Sequence, residues 1–511
     1  MEQAKDTANV LMDSKDTTTF HSEDTKSGLD IEADNSSSNN EVEEIDPKVE
    51  RRVVRKLDMV VLPLLSLSFM FAYLDRSNIG NARVLGMQAE VGLSAQQYLN
   101  CVMMFYLGYM LIELPAGMAL RYVHPRYCFA GALFMFGTFA TLLSVSGYAG
   151  IMVLRLLIGL AEVFVTNAFI YISLWYRHHE MATRTAAIYL MTPVAGAISG
   201  LLAYGIGSGL EGTHGIASWK WLFIIEGVAT VGFGFVVLFF LPGLPENTAK
   251  HGSWLFRDEA ERRVLAQRQK KSQNSDNARF QPHQILMCFK DIKFWLGSFM
   301  IGTAGIGIGA FSVFLPTFIR EFGYGRVHTQ LLTMIPYAFG LVGLVFFSWL
   351  ADRLQQKILT TLGCTLISCV GFVMLLGTTN KIALVAGSCF VAGGAYPALV
   401  TAVSFTLPMH GGYTKRATSM WGTQVFVQCY SIIATQVYRD PPRFFLGHGI
   451  ALGLYALGVA SNIALYFILT RTNAARDRRQ RELAERGEVD PNAEKSIEEL
   501  GDFHPNFRYV T

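Results

Sequence analysis

Twelve separate apolar blocks, each about 20 residues long, constrain this chain more than any other feature of its sequence. A helix of that length crosses a hydrocarbon core of ~30 Å. Backbone N–H and C=O groups in lipid must bond within their own segment, so these blocks form helices. Only 16% of the residues are charged, whereas globular chains carry about 25%. We therefore expect an all-α membrane protein.

The order of the blocks predicts two halves of six helices each. The one long polar segment inside the chain, residues 243–291, follows the sixth block. The predicted spans are 58–79, 97–119, 126–146, 149–175, 184–207, 219–241, 292–318, 329–350, 358–377, 382–407, 417–438 and 446–470. The predicted regions are a disordered N-terminal tail 1–56, a first half 57–242, a central loop 243–291, a second half 292–470 and a C-terminal tail 471–511.

Basic residues at the ends of the chain's apolar region predict its orientation. Four precede the first span (Arg51, Arg52, Arg55 and Lys56), and four follow the last (Arg471, Arg476, Arg478 and Arg479). Lys and Arg are held on the cytosolic side of membranes, so we expect both termini and the central loop in the cytosol. The N-terminal tail lacks the apolar core of a signal peptide, and the plasma membrane is the expected location.

Several functional classes lack their sequence signals. The phosphate-binding pattern Gly-x-x-x-x-Gly-Lys-Ser/Thr is absent, and no catalytic triad or metal-spaced set stands out in the loops. The formal net charge of +3 does not suggest a nucleic-acid partner. We therefore expect no enzyme activity, no metal and no cofactor, but a monomer whose partners are the lipid bilayer and a transported molecule.

Two charged residues of the fourth span, Arg155 and Glu162, are the strongest candidates for chemistry. An ionisable side chain at the centre of a membrane helix costs at least ~2.5–3.5 kcal/mol and therefore needs an explanation. The two lie seven residues apart, hence on one helix face, with Gly159 between them. They are expected to carry a proton pathway or, alternatively, to form a permanent structural ion pair.

Four further charged residues complete the predicted substrate and proton pathway: Asp75, Arg76, Glu113 and Glu226. Asp75 and Arg76 end the predicted first span, where Arg76 is expected either to meet an anionic substrate or to reach the interface. Glu226 lies seven residues beyond Trp219, at a depth that suits a cavity or a pair with Arg155. The sequence leaves these alternatives open.

Two short loops in corresponding positions of the halves predict a conformational gate. The first contains Arg121 and Arg126, and the second contains Asp352, Arg353 and Lys357. Each has a small residue, Gly117 or Ser348, nine positions before a base. Charged turns of this kind can pair in one conformation and separate in another, although ordinary basic loops would look similar.

The second loop resembles the signature of the major facilitator superfamily, Gly-x-x-x-Asp-Arg-x-x-x-Arg/Lys, with Ser348 in place of Gly. A closer resemblance is to the fungal allantoate-permease-like branch of the anion:cation symporters. It is carried by the runs LDRSNIGNA at 74–82, ELP at 113–115, RLLIGLAE at 155–162, WKWLFIIEG at 219–227, KRA at 415–417 and GDFHPNFRY at 501–509. One departure is Thr166-Asn167, where many members of the branch have a proline.

The resemblance implies the major facilitator fold and a secondary active transporter working by alternating access. Members of the branch import small organic anions, generally with protons: vitamins and nitrogen or sulfur metabolites such as nicotinate, pantothenate and allantoate. Two alternatives remain, a nutrient sensor with a transporter fold and an exporter. Export is disfavoured because drug exporters of the superfamily extend a pair such as Gly196 and Gly200 to Gly-Pro, whereas Leu201 follows here.

Overall fold

The computed structural model describes residues 46–272, 281–488, 490–492 and 500–509. In this part of the chain the regular structure is helical and contains no strand. Eleven of the helical segments are long and apolar enough to cross a membrane. They are Pro47–Val84, Ala95–Met118, Pro125–Leu143, Tyr148–Trp175, Thr183–Gly209, Ser218–Phe240, Ile292–Glu321, Arg326–Leu354, Lys357–Gly377, Lys381–Thr406 and Phe445–Arg486.

The remaining predicted span, 417–438, is also a helix, Tyr413–Val437, 25 residues long. It is more polar than the others because one face carries Gln424, Gln428 and Ser431, which line an internal cavity. The predicted all-α membrane fold with twelve long helices in two halves is therefore confirmed.

The first half contains nine helices, since two of its spans are interrupted and short helices join others. They are α1 Pro47–Lys56, α2 Leu62–Val84, α3 Met87–Glu90, α4 Ala95–Met118, α5 Pro125–Leu143, α6 Tyr148–Glu162, α7 Ala168–Trp175, α8 His178–Gly209 and α9 Ser218–Phe240. A π-helical turn, Leu57–Val61, joins α1 to α2, and a 3₁₀ turn, Val163–Asn167, joins α6 to α7.

The central segment is folded into three short helices, α10 Pro245–His251, α11 Glu259–Ser272 and α12 His283–Lys290. Ion pairs fasten α11 to the first half. Glu261 pairs with Lys56 at 2.7 Å, and Arg268 pairs with Glu50 and Glu180 at 2.5 Å each. These bonds tie the central segment to α1 and to the start of α8.

The second half contains seven helices: α13 Ile292–Glu321, α14 Arg326–Leu332, α15 Met334–Leu354, α16 Lys357–Gly377, α17 Lys381–Met409, α18 Tyr413–Val437 and α19 Phe445–Arg486. Successive spans run in opposite directions, so α2 begins and α19 ends on one side of the bundle. We call this the terminal side and the opposite face the far side.

Both tails are more ordered next to the bundle than the sequence predicts. Residues 47–56 of the predicted disordered tail form α1, because Val53 is buried and Glu50 is held by Arg177 and Arg268. At the other end α19 continues to Arg486, well past the predicted end at 470, and residues 501–509 pack against the second half. Residues 1–45 lie outside the described part of the chain.

The two halves meet closely on the far side. An added Cβ on Gly80 of α2 would lie 1.9 Å from the carbonyl oxygen of Val313 in α13, so this contact requires glycine. Gln330 donates to the Asn81 carbonyl at 3.3 Å, and Gln96 donates to Gln436 at 2.9 Å. These contacts join α2 and α4 of the first half to α13, α14 and α18 of the second.

Candidate functional site

A cavity lies between the halves, near the middle of the helices, and encloses about 70 Å³. At about 10–15 Å³ each, roughly five to seven water molecules would fill that volume, so any ligand in this conformation is a small molecule. The described residues that line it are Phe69, Tyr73, Arg76, Tyr106, Tyr109, Thr166, Phe169, Tyr189, Gly305, Ile308, Gly309, Ser312, Leu399, Gln424, Val427, Gln428 and Ser431. Arg76 is the one charged side chain among them.

Arg76 is held by a carboxylate behind it and by aromatic rings around it. Its Nε donates to Oε1 of Glu162 at 2.6 Å, and Glu162 is fully buried while Arg76 keeps 12% of its side chain exposed. The guanidinium carbon lies 4.5 Å from the ring centre of Tyr73 and 5.0 Å from that of Tyr109. Aromatic faces attract a guanidinium, so these rings fix its position. The planar fork of Arg76 thus presents a cation to the cavity.

The position of Arg76 corrects the expectation that it ends the first span. The helix α2 continues to Val84, eight residues beyond Arg76, so both Asp75 and Arg76 lie inside the bundle. Arg76 therefore does not extend to the membrane interface. It remains inside because Glu162 neutralises it there.

Arg155 and Glu162 do not pair with each other, although they share a helix face. Arg155 donates to Asp75 at 2.9 Å, with both side chains almost completely buried. Glu162 accepts from Arg76 instead, so the two charged residues of α6 pair with two neighbouring residues of α2. Helices α4 and α6 approach closely at Gly159, since an added Cβ there would lie 2.1 Å from the Phe105 carbonyl oxygen.

Glu226 takes neither of its two expected positions, the cavity wall or a pair with Arg155. The side-chain amide of Asn78 donates to its carboxylate. From Asn78 a row of buried hydrogen bonds continues, since Ser199 donates to Asn78 at 3.2 Å and Asn81 donates to Ser199 at 2.6 Å. The row ends at Asn81, whose carbonyl accepts from Gln330 of the second half. Glu226 is therefore joined to the far-side contact between the halves.

Glu113 of α4 contacts the second half directly. It is 2% exposed, and the amide of Gln424 in α18 donates to its Oε1 at 3.5 Å. This places a first-half carboxylate against a cavity-lining amide of the second half, where any movement of the halves changes the contact.

The gate side chains that the structure describes form no ion pair in this conformation. Asp352 and Arg353 end α15, are exposed and take part in no ion pair within the described chain, while Lys357 begins α16 after the turn. The Arg353 guanidinium lies over the ring of Trp349 at 5.2 Å. In the other loop Arg126 donates to His124 at 3.4 Å, and the side chain of Arg121 lies outside the described part of the chain.

The second half supplies neutral polar groups that the sequence analysis missed: Ser312, Gln424, Gln428 and Ser431. Gln424 and Gln428 lie four residues apart on α18 and so share a face. Two amides at this spacing within an otherwise apolar span are a signal that would have identified them. The aromatic lining gives no such signal, because aromatic residues occur on every side of these helices.

Comparison with known proteins supports the predicted fold and identifies the superfamily, which is broader than the predicted branch. The chain matches the Major Facilitator Superfamily over residues 65–435. An MFS-type transporter of Penicillium expansum is 30% identical, over 90% of each chain. A high-affinity nicotinic acid transporter of Saccharomyces cerevisiae is 29% identical, over 90% of this chain and 85% of the relative.

Solved structures share the architecture at low identity. The D-xylose–proton symporter has a TM-score of 0.60 at 14% identity, covering 80% of this chain and 96% of the symporter. A bacterial homologue of the human lysosomal transporter Spinster has a TM-score of 0.59 at 13% identity, covering 84% and 98%. Together with the family match and the twelve long helices, these likenesses show that the chain is a multi-pass membrane transporter belonging to the major facilitator superfamily.

Proposed function

We propose that this transporter imports a small organic anion together with a proton, by alternating access. The observation that carries the proposal is the ion pair between Arg76 and Glu162. Arg76 is the one charged group among the described cavity-lining residues, and its counterion lies behind it, away from the cavity. A carboxylate substrate that reaches the cavity therefore competes with Glu162 for the guanidinium, to which it can bind through two oxygens.

The same competition supplies the coupling to protons. When a substrate takes Arg76, Glu162 is left buried without its cation, which is unfavourable by several kcal/mol. A proton removes that cost by neutralising the carboxylate. Substrate and proton therefore enter as a pair. The neighbouring pair of Arg155 with Asp75 lies outside the cavity and keeps Arg76 in position during the exchange.

Aromatic rings on one side of the cavity can pack against the body of a small substrate. Phe169 and Tyr189 stack with ring centres 4.7 Å apart, and Phe69 meets both rings edge-on. We propose a vitamin, nitrogen or sulfur metabolite with a carboxylate, such as nicotinate, pantothenate or allantoate. The relative named as a nicotinic acid transporter supports this class, as does the resemblance to the allantoate-permease-like branch.

One cavity residue argues against assigning the substrate of a relative to this chain. Thr166 lines the cavity, in the 3₁₀ turn where many members of the branch have a proline. A hydroxyl in place of a proline ring changes both the shape and the hydrogen bonding of the wall. We therefore expect the substrate to be set by this chain's own cavity, within the class of small carboxylates.

Uptake of a panel of labelled compounds tests the proposal. Cells lacking their own carriers would express the protein and receive nicotinate, pantothenate, allantoate, biotin and sulfur metabolites, beside neutral and cationic analogues. We expect at least one carboxylate to be concentrated, and a proton uncoupler to abolish the concentration. Signalling without uptake would instead indicate a sensor, and net loss from loaded cells an exporter.

We further propose that the protein works as a monomer in the plasma membrane, with both termini in the cytosol and the proton as its one coupling ion. The basic residues beside α2 and along the end of α19 support this orientation. An epitope tag at either end should be accessible to antibody only after the cells are permeabilised. Labelling of a terminal tag on intact cells would place the termini outside and reverse the proposed side of the membrane for every loop.

A further inference from the structure

The described end of the chain is bound to the second half like a peptide ligand. We call residues 501–509 the C-terminal strap. The backbone of Tyr509 exchanges two hydrogen bonds with the side chain of Asn473 in α19, at 2.9 and 3.0 Å. Arg476, one turn further along α19, donates to the carbonyls of Phe507 and Asp502 at 2.7 and 2.6 Å. The extension of α19 beyond the bundle thus forms one wall of the strap's seat.

The centre of the seat is a buried cluster of charges from three parts of the chain. Asp502 of the strap is fully buried and accepts from Lys293 at 2.6 Å and from Lys415 at 2.5 Å. Asp291 also accepts from both lysines, at 3.2 Å from Lys293 and 2.7 Å from Lys415. The Tyr509 hydroxyl lies 2.7 Å from the Lys293 ammonium. Two cations therefore face two anions, and one of the anions belongs to the strap.

Removing the strap would leave this cluster with an uncompensated charge. Lys293 and Lys415 would then share the single carboxylate of Asp291, and an unpaired charge at a buried site is strongly destabilising. Burial opposes ionisation of Asp502, but the two lysines outweigh it and lower its pKa to about 2. The carboxylate therefore stays charged at physiological pH, and the seat depends on the strap's presence rather than on pH.

The lysines of the cluster stand where two helices begin, and the strap also contacts two further helices. Lys293 lies in the first turn of α13, behind the cap Asp291, and Lys415 lies in the first turn of α18. The turn between α17 and α18 touches the strap at Gly411, where an added Cβ would lie 2.4 Å from Gly501. The strap thus joins the terminal-side ends of α13, α17, α18 and α19.

A metal ion is a poorer interpretation of the same cluster. Ligand atoms of Asp291, His410 and Asp502 lie within 4.8 Å of one another. The two ammonium groups, however, already bind both carboxylates and balance their charge. A divalent cation would have to displace them and would add charge to a neutral buried site.

We propose that the C-terminal strap is an intrinsic peptide ligand of the second half, seated by the charge of Asp502. Occupied, the seat holds the terminal-side ends of α13, α17, α18 and α19 as one body. When the strap leaves, the seat has one more cation than anions between α13 and α18, and the ends of these helices are held less tightly. The seat is therefore a peptide-binding site that takes an acidic segment followed by an aromatic residue, since Phe503 lies over both lysines at 5.2 and 4.8 Å.

Hydrogen exchange of the full-length protein tests the strap without knowledge of the transported substrate. In the unaltered chain the amides of residues 504, 506, 507 and 509 are hydrogen-bonded and should exchange slowly. Asp502→Asn should speed their exchange at least ~10-fold, because the charge that seats the strap is lost. Asp477→Asn is the matched control, since it removes an exposed carboxylate that pairs with Arg508 of the strap. An exposed pair contributes little, and exchange should change less than about threefold.

Two further variants separate charge balance from general damage. Adding Lys293→Met to Asp502→Asn leaves one cation facing Asp291, and exchange of the strap should return toward that of the unaltered chain. A synthetic peptide of residues 500–511, added to the Asp502→Asn protein, should slow exchange in the first turn of α18, whereas the same peptide with Asn at 502 should not. A strap that stays protected in Asp502→Asn, or a double variant no slower than the single one, would overturn the proposal.

Discussion

The two halves of the bundle share an architecture but differ in where their charges lie. In the first half Asp75, Arg76, Arg155, Glu162 and Glu226 lie deep within the helices, and each is bonded to a partner. In the described spans of the second half from α13 to α18, charged residues stand only near helix ends. The cavity wall contributed by this half is made of hydroxyl groups, amides and apolar side chains.

This difference assigns separate tasks to the halves. A buried charge is costly unless it is paired, so the first half keeps its binding and coupling groups in one preformed network. Neutral amides such as Gln424 and Gln428 can exchange partners at small cost, which suits a surface that moves against that network. We infer that the first half carries the chemistry and that the second half covers the substrate.

Removing the cavity cation should produce the largest effect. Arg76→Ala leaves Glu162 buried without its partner and takes away the group that meets the substrate. Breaking a buried pair costs about 3–5 kcal/mol, so uptake should fall at least ~100-fold. Arg83→Ala is the control on the same helix, because Arg83 lies outside the cavity, and it should retain most activity. Normal uptake by correctly inserted Arg76→Ala protein would show that Arg76 does not bind the substrate.

Placing a charge in the cavity wall of the second half should lower uptake, because this half otherwise contributes only uncharged groups there. Gln424→Glu sets a second carboxylate against Glu113, where an amide now donates at 3.5 Å. Repulsion between like charges in a partly dehydrated site is several kcal/mol, so uptake should fall at least ~10-fold. Gln436→Glu, at the far-side end of the same helix, keeps an oxygen that can accept from Gln96 and should lower uptake far less. Equal tolerance of both changes would show that the second half need not be uncharged.

The gate loop should give a smaller effect that is confined to rate. If the loop is a gate, Asp352→Asn or Arg353→Ala should slow turnover severalfold with binding little changed, because these residues would then pair only in another conformation. Initial rates over a range of substrate concentrations separate the two quantities. Glu321→Gln, an exposed carboxylate at the far-side end of α13, serves as the control. Loss of binding with normal turnover of the bound fraction would contradict a gating role.

The sequence predicted the spans well and the partners of their charges poorly, for a physical reason. Span positions follow from length and apolarity, which the bilayer imposes on each helix separately. Whether Arg155 meets Glu162 or Asp75 depends on which neighbouring helix lies closest, and helical spacing alone does not contain that information. The 3₁₀ turn at 163–167, which places Thr166 in the cavity wall, is likewise set by packing between helices.

Residues 47–56 and 501–509 are ordered because of partners in the bundle that their own composition does not reveal. The polar residues of α1 and the strap would be unstructured in isolation. They fold against the bundle because Glu50 and Asp502 meet buried cations there, Arg268 and Lys293 among them. Basic residues at the starts of spans, such as Lys293 and Lys415, are the one signal in the sequence that points to acidic partners elsewhere in the chain.

The central claim is that Glu162 exchanges Arg76 for a proton when substrate binds, and one comparison of Glu162→Gln with the unaltered protein tests it. The glutamine is neutral whether or not a proton is available, so the variant should lose concentration of substrate against a gradient. Exchange of labelled for unlabelled substrate needs no net proton movement and should survive. Arg155→Ala should impair both, because it leaves Asp75 unpaired beside Arg76. A Glu162→Gln protein that still concentrates substrate with normal pH dependence would contradict the account and shift the proton site to Glu226, Glu113 or Asp75.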